Sequence, residues 1–306
     1  MKFKIDPKPS NLFERVVFKL KRVFRDRKRV SLRKPYLTLA PVAVPGQDQD
    51  FSVHILLCNR DFEMSVCALR SFVFYCGRSF EFVIHEDGTL TQEQKKYLLK
   101  NFPKSEIIDY HRSLNLAKET FGENSEIYKM RQKGVLMLKL LDIKLFSTKK
   151  KVIVLDSDIL FFEKPDEVLN AAIRFDVPNL FNKDVFPSLM ASKEVLEDIC
   201  AKKIPERINS GLSVVYRDAI DFVLLEKWLK ELNDRKVDFI LHRIEQSLIT
   251  MLCVNHKSGI DYLPETYDVS FEKDVGQSVC KHYVGVIRHG FELEGLSYLQ
   301  DKDILK

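Results

Sequence analysis

Two acidic residues, Asp156 and Asp158, follow a run of four apolar residues in the segment Val152–Phe162. The run VIVL predicts a buried strand, so the two carboxylates stand at its end, two positions apart. Carboxylates this close repel each other, and burying either one is costly without a compensating positive charge. A divalent cation such as Mn²⁺ or Mg²⁺ supplies that charge, prefers hard oxygen ligands and can bridge to a diphosphate. The segment therefore predicts a metal site, and a solvated acidic turn without metal is the alternative.

A second polar segment is Asn209-Ser210-Gly211, which precedes the apolar run Leu212–Tyr216. The Asn209 amide offers both a donor and an acceptor, and Gly211 lets the backbone approach a ligand closely. Taken alone, the triplet is also typical of a plain turn before a strand.

A third segment lies near the end of the chain and reads KHYVGVIR, from Lys281 to Arg288. His282 can ligate a metal through a ring nitrogen, Gly285 permits a tight approach, and Arg288 can hold phosphate oxygens. A lone histidine is more often a surface or core residue, so this segment alone leaves the metal role open.

Together, the three segments resemble the glycogenin-like retaining glycosyltransferases. That family has an apolar strand leading into D-x-D, a later N-x-G that opens a strand, and a C-terminal H-x-x-G-x-x-K. All three occur here in that order, with Arg288 in place of the usual lysine. The stretch Lys139–Phe162 also resembles the family's helix–turn–strand approach to its acidic motif. The resemblance covers roughly residues 52–290 and leaves the basic leader outside.

The resemblance implies a GT-A fold, which is a Rossmann-like α/β domain with a mostly parallel mixed sheet that binds a nucleotide-sugar. It implies a Mn²⁺ or Mg²⁺ ion on Asp156, Asp158 and His282. The donor-binding residues that it implies are Cys58, Asn59, Asp61, Lys139, Ser157, Gly285 and Arg288. The catalytic residues that it implies are Asn209, Glu245, Gln246 and Arg288. Glu245-Gln246 resembles the family's D-Q pair with Glu for Asp, and His289-Gly290 replaces the family's Pro-Trp.

The elements that must position these residues alternate between strands and helices from Phe51 onward. The patterns predict strands over Ser52–Cys58, Glu81–His85, Ser105–Tyr110, Lys151–Leu155 and Leu212–Tyr216. They predict helices over Phe62–Cys76, from a capping box at Thr91–Gln94 to near Pro103, over Tyr128–Phe146 and over Ala219–Leu232. Such alternation indicates a mostly parallel sheet whose ligands bind beyond the carboxyl ends of the strands.

The first 37 residues are strongly basic, with thirteen Lys and Arg against three acids, while the rest of the chain carries a net charge of −5. Their apolar residues recur at helical spacing: Leu12, Phe13, Val16, Val17, Leu20, Val23 and Phe24. Such a basic amphipathic helix can lie on an anionic membrane surface. Packing on the domain is the main alternative, and nucleic-acid binding is disfavoured because no aromatics interleave the charges. The predicted division is a leader (1–37), a linker (38–50, opening at about Tyr36), a glycosyltransferase domain (51–295) and a tail (296–306).

The six cysteines include no close C-x-x-C pair, so they predict reduced, buried thiols rather than a zinc site or disulfides. No apolar run approaches the roughly 20 residues of a membrane span, and no signal peptide is recognisable. These features predict a cytoplasmic protein, peripheral at the inner face of the membrane.

The predicted function is a metal-dependent glycosyltransferase that moves a sugar from a UDP-sugar to an acceptor hydroxyl, with retention. The expected acceptor is a glycan or a lipid-linked glycan, with residues Phe186–Ile204 shaping its pocket, and no nucleic acid is expected as a partner. One alternative is a phosphatase of the haloacid dehalogenase type, whose nucleophile also lies in D-x-D. That motif usually opens its domain, whereas α/β sequence precedes it here. The other alternative is a nucleotide-sugar-binding module without turnover.

Overall fold

The structure is a computed structural model that describes residues 26–44, 50–270, 273–302 and 304. Within them, seven strands form one sheet in the order β3-β2-β1-β4-β7-β6-β8. The strands are β1 (Phe51–Leu57), β2 (Phe82–Glu86), β3 (Glu106–Ile108), β4 (Lys151–Leu155), β6 (Asn179–Lys183), β7 (Ile208–Tyr216) and β8 (Ile260–Tyr262). A smaller sheet contains β5 (Ile159–Phe161), β9 (Tyr267–Asp268) and β10 (Cys280–His282).

The large sheet is mostly parallel, as the alternation of strands and helices predicts. Strand β1 pairs in parallel with β2 and β4, and β2 pairs in parallel with β3. Strand β7 is antiparallel to both β4 and β6. Because β7 runs the other way, its first residues lie at the edge where β4 ends. Strand β7 begins at Ile208 rather than at the predicted Leu212, so Asn209–Gly211 belongs to it, and the carbonyl of Gly211 accepts a hydrogen bond from the amide of Asp156 at 2.8 Å.

The small sheet brings the end of the chain back to the same edge. Strand β10 is antiparallel to β5, and His282 lies opposite Ile159. The amide of Tyr283 donates a hydrogen bond to the carbonyl of Asp158 at 2.9 Å. This register fixes His282 beside the acidic pair.

Helices cover the sheet, and most of the predicted ones are found. Their bounds are 26–38 (α1), Phe62–Cys76 (α2), Gln92–Asn101 (α3), Tyr110–Phe121 (α4), Glu126–Lys133 (α5), Met137–Phe146 (α6), Asp166–Ile173 (α7), Lys193–Cys200 (α8), Phe222–Asp234 (α9), Ile244–Asn255 (α10) and Ser297–Gln300 (α11). A π-helical segment, Phe291–Leu296, precedes α11. Helix α2 has both of its predicted ends, and Gly77 closes it at a φ of +64°. The capping box is also confirmed: Thr91 and Gln94 exchange hydrogen bonds between side chain and backbone.

Two helix predictions were wrong in their bounds. The span Tyr128–Phe146 contains two helices, because the chain becomes extended at Gly134 (φ −133°, ψ 112°) and α5 ends there. Glycine is unfavourable in the interior of a helix, which explains why the break falls on this residue. The last predicted helix begins at Phe222 rather than Ala219, since the carboxylate of Asp221 accepts hydrogen bonds from two amides of the first turn.

Helix α1 packs against α2 and against residues 283–291. Its Leu32 and Tyr36 are buried in a cluster with Met64 of α2 and with Tyr283 and Phe291 near the chain's end. Tyr36, which the sequence pattern places at the start of a linker, belongs to this core. The predicted apolar face from Leu12 to Phe24 lies outside the described residues.

No helix among the described residues is long and apolar enough to cross a membrane. All six cysteines lie within the described residues as free thiols, and only Cys58 is partly exposed.

Candidate functional site

The two aspartates and the distant histidine converge on one point. One ligand atom from each of Asp156, Asp158 and His282 lies within 4.8 Å of the other two. Nε2 of His282 is 3.0 Å from Oδ1 of Asp158 and 3.8 Å from Oδ2 of Asp156. Two carboxylates and one imidazole are a donor set that suits Mn²⁺ and is compatible with Mg²⁺. The three predicted ligands therefore fit a divalent cation.

A hydrogen bond orients the ring of His282 for this role. Its Nδ1 lies 2.8 Å from Oδ1 of Asn209, so Nδ1–H donates to the amide oxygen and Nε2 is left to face the carboxylates. The amide of Asn209 is itself held, because its nitrogen donates to Asp184 at 3.3 Å. Asn209, predicted as catalytic, thus contacts the histidine that was predicted as a ligand.

Arg288 is a cationic group on the cavity side of the acidic pair. Its guanidinium lies 2.6 Å from Oδ2 of Asp61 and 3.8 Å from Oδ2 of Asp158. Burial alone would raise the pKa of Asp158, but His282 and Arg288 outweigh it and hold that pKa below its ordinary value. Burial alone would also raise the pKa of Asp61, but its bonds to Arg60 and Arg288 outweigh that effect and lower the pKa. Both carboxylates are therefore ionised at neutral pH.

A cavity of about 270 Å³ opens beside these groups at the carboxyl edge of β1 and β4. Its lining brings together most of the predicted donor-binding residues with the acidic pair: Cys58, Asp61, Asp156, Ser157, Asp158 and Arg288. The lining also includes residues that the sequence did not indicate, among them Asp87, Val135 and Leu136. Asp87 directly follows the carboxyl end of β2. Because ligands bind beyond the carboxyl ends of the strands in such sheets, this position in the sequence could have indicated it.

Three predicted donor-binding residues, Asn59, Lys139 and Gly285, do not line this cavity. The side-chain oxygen of Asn59 accepts a hydrogen bond from Gln94 at 2.8 Å. Gly285 has a φ of +51°, and a Cβ atom on it would meet no atom within 4 Å. Glycine therefore suits this position because of its positive φ, and not because another atom of the described residues packs closely against it.

A buried network extends from the acidic pair toward α10. Nζ of Lys139 lies 2.8 Å from Asp156 and 3.9 Å from Glu245. Burial alone would lower the pKa of Lys139, but these two carboxylates outweigh it and raise that pKa. Burial raises the pKa of Glu245, whose Oε2 accepts a hydrogen bond from Ser210 at 3.0 Å. The network therefore joins β4, α6, β7 and α10 around one buried ammonium.

Gln246 is fixed by the backbone on both sides of its amide. Its oxygen accepts from the amide of Ser210 at 3.0 Å, and its nitrogen donates to the carbonyl of Ser188 at 3.2 Å. Gln246 therefore joins the start of α10 to β7 and to the segment after β6.

Exposed apolar side chains lie near the start of α10. They lie on three segments that approach one another: Val135 before α6, Val185 and Phe186 after β6, and Ile240 and Leu241 before α10. The amide of Ile240 bonds to the carbonyl of Met190 at 2.9 Å. A Cβ on Gly134 would be 4.0 Å from Leu241. Phe186 is 74% exposed, and exposed apolar side chains grouped in this way are typical of a binding surface.

A larger cavity, of about 360 Å³, lies at the opposite edge of the sheet, lined by Lys150 and Tyr216 among others. It lacks the predicted acidic and histidine residues, so the smaller cavity is the candidate active site.

Comparison with known proteins identifies the fold. The sequence matches no family profile and no curated protein. The structure is similar to mouse xyloside xylosyltransferase 1, with a TM-score of 0.50 and 14% identity over 77% of this chain and 98% of that one. It is also similar to the bifunctional glycosyltransferase WbbM, with a TM-score of 0.51 and 16% identity over 80% of this chain and 47% of that one. The chain thus has the GT-A glycosyltransferase fold, as predicted.

Proposed function

We propose that this protein is a metal-dependent glycosyltransferase that uses a nucleotide-sugar donor. The observation that carries the proposal is the cluster of Asp156, Asp158 and His282 beside a cavity at the carboxyl edge of a GT-A sheet. A UDP-sugar donor, retention at the anomeric carbon and membership of the glycogenin-like group are proposed from the three sequence motifs.

Charge stabilisation is the chemistry that this site supports. Negative charge builds on the departing diphosphate as the glycosidic bond breaks. A Mn²⁺ or Mg²⁺ ion held by the two aspartates and His282 would supply positive charge to that diphosphate. Arg288 donates to phosphate oxygens from the guanidinium N–H groups that its carboxylate partners leave available.

Lys139 and Glu245 act on the sugar side. The buried ammonium of Lys139 offsets the charge of Asp156 and keeps Glu245 oriented through its 3.9 Å contact. The extra methylene of Glu245, relative to the aspartate usual in the resembling family, carries its carboxylate to Ser210. Glu245 and Gln246 are proposed to position the sugar and the acceptor hydroxyl.

The acceptor is proposed to be a glycan, with an apolar or lipid-linked portion. The exposed Val135, Phe186 and Leu241 support this, because their segments approach one another and the start of α10, which carries Gln246. Contact with an anionic membrane is proposed only for residues 1–25, since α1 packs on the domain. Deleting residues 1–25 should abolish binding to vesicles that contain anionic lipid, and unchanged binding would contradict this contact.

The GT-A fold removes the main support for the phosphatase alternative, which rested on D-x-D alone. A nucleotide-sugar-binding module without turnover keeps the same fold, so only activity separates it from a transferase. We would screen nucleotide-sugars for Mn²⁺-dependent hydrolysis and for transfer to glycan acceptors.

Asp158→Asn should lower the rate roughly 10²- to 10⁴-fold, because it removes a metal ligand. Asp234→Asn, at an exposed residue of α9, is the matched control. Full activity in Asp158→Asn would refute the site assignment. Binding of UDP and Mn²⁺ without turnover of any sugar would favour the binding module.

A further inference from the structure

The carboxylate of Glu292 is fully buried in the π-helical segment Phe291–Leu296, far along the chain from its partners. Both partners are arginines of α1. Nε of Arg29 donates to Oε2 of Glu292 at 2.9 Å, and Nε of Arg33 donates to Oε1 at 2.8 Å. A second nitrogen of each guanidinium also contacts this carboxylate. Paired hydrogen bonds between a guanidinium and a carboxylate fix the relative orientation of the two groups as well as balancing their charges.

Glu292 lies one helical turn beyond Arg288, the residue proposed to hold the leaving diphosphate. The amide of Phe291 donates to the carbonyl of Arg288 at 3.2 Å, so the backbone connects the two directly. Arg33 also reaches Glu63 at 3.4 Å, in the first turn of α2. That helix follows Asp61, which binds the guanidinium of Arg288. Arg33 therefore ties together the two segments whose side chains meet in the donor cavity.

The same segment is held on its other face by close packing. A Cβ on Gly295 would lie 2.5 Å from Leu160 and 2.8 Å from the hydroxyl of Tyr283, so the backbone rests directly on β5. The buried ammonium of Lys281 lies 3.2 Å from Glu294. Lys281 immediately precedes His282. The π-helical segment is thus anchored both to α1 and to the strand that carries the histidine.

We infer that Glu292 is a positioning residue, which with Arg29 and Arg33 holds residues 285–296 so that Arg288 stands at the diphosphate end of the donor cavity. A π-helix has weaker intrinsic stability than an α-helix and depends on such tertiary contacts. Removing the charge of Glu292 leaves two guanidinium groups facing a neutral partner. Residues 285–296 are then no longer held in one orientation relative to α1. Helix α1 is then part of the donor site's framework rather than a detachable leader. The inference rests on the proposed function in assigning Arg288 to the diphosphate.

The test compares nucleotides that do and do not carry the second phosphate. Glu292→Gln keeps the shape of the side chain, and Arg33→Met keeps much of its apolar stem. Arg27→Met, at an exposed arginine of the same helix, is the control. With Mn²⁺ present, the affinity for UDP should fall about tenfold or more in the first two variants, while the affinity for UMP changes less than about twofold. The donor KM should rise by a similar factor, with a smaller change in kcat.

Because Arg33 and Glu292 are proposed to act as one contact, although Arg33 also reaches Glu63, the double variant should lose less UDP affinity than the two single losses combined. Equal losses for UDP and UMP would overturn the inference, since a merely structural role weakens both. Unchanged UDP affinity in Glu292→Gln would overturn it as well.

Amide hydrogen exchange separates failure of this inference from failure of the proposed function. Glu292→Gln should speed exchange in residues 285–296 but not in α9, and Arg27→Met should change neither. If the wild-type protein binds no nucleoside diphosphate, the proposed function fails, and faster exchange in this segment still supports the anchoring role of Glu292. Unchanged exchange there would overturn that role.

Discussion

Gly211 and His282 are in direct contact across the candidate metal site. A Cβ atom built on Gly211 would stand 2.1 Å from Cε1 of His282 and 2.9 Å from Oδ2 of Asp156. Contacts under about 3 Å are essentially never seen for real Cβ atoms, so the imidazole occupies space that any other residue would need. The sequence predicts that Gly211 lets the backbone approach a bound molecule. In the structure, Gly211 leaves room for the imidazole of His282, a proposed metal ligand.

Gly211→Ala should damage the metal site more than the fold. The new methyl group must push His282 or Asp156 out of the ligand geometry, and overpacking of this kind costs about 1–3 kcal/mol. We expect Mn²⁺ affinity, measured by calorimetry, to fall at least about tenfold. Gly276→Ala is the matched control, because its Cβ would make only an ordinary contact, 3.7 Å from Tyr298. Mn²⁺ affinity in Gly211→Ala equal to that of the control would contradict the prediction.

Mn²⁺ alone should stabilise the wild-type protein and not Asp158→Asn. An ion that binds only the folded chain adds about 2.7 kcal/mol to the free energy of unfolding at 100 times its dissociation constant. Asparagine removes one anionic ligand, so this gain should largely disappear. Urea denaturation with Mn²⁺ or with a chelator measures it, and Asp234→Asn should keep the wild-type response. Equal stabilisation of Asp158→Asn would show that Mn²⁺ binds elsewhere.

The parts of the fold that the sequence predicted correctly depend on signals within a few residues. The strand before Asp156 is marked by its apolar run, and α2 is closed by Gly77 with a positive φ. The sequence also proposed as metal ligands three residues that the fold brings together, although 124 residues separate Asp158 from His282. That identification came from a resemblance between motifs, because nothing local to His282 distinguishes it from a core histidine.

The parts that were missed depend on contacts between distant segments. Asp87 lines the donor cavity only because β2 lies beside β1 and ends at the same edge. The pairing of Arg33 with Glu292 joins the two ends of the domain, and a run of basic residues gives no sign that two of them face inward. The antiparallel course of β7 likewise depends on its neighbours in the sheet.

Thr91→Ala should destabilise the protein modestly, by removing the capping box of α3. Its hydroxyl accepts from the amide of Gln94 at 3.3 Å, and loss of such a cap costs about 1 kcal/mol. Urea denaturation monitored by circular dichroism measures the change. Thr120→Ala is the control, since that exposed hydroxyl bonds only within its own helix, and its effect should stay below about 0.5 kcal/mol. Equal losses in the two variants would argue against the cap.

The buried amine of Lys151 should make stability rise with pH in alkaline solution. Its Nζ donates to the carbonyl of Ala171 at 2.8 Å and lies 4.1 Å from the centre of the Tyr216 ring, away from solvent. Burial lowers the pKa of Lys151 from its ordinary value of 10.5 to about 8. Between these two pH values the folded chain holds fewer protons than the unfolded chain. Unfolding must then take up a proton, so the free energy of unfolding increases as the pH rises through this window.

The increase due to Lys151 should approach about 3 kcal/mol, which is an upper figure for a shift of this size. Other groups titrate in the same range, so the measurement is the difference in free energy of unfolding between the wild-type protein and Lys151→Met. We would determine it by urea denaturation at several pH values from about 7.5 to about 10.5, with a reductant to keep the thiols free. The difference should shift in favour of the wild-type protein as the pH rises, because methionine has no proton to lose. Parallel pH profiles for the two proteins would show that the Lys151 amine keeps an ordinary pKa in the folded chain.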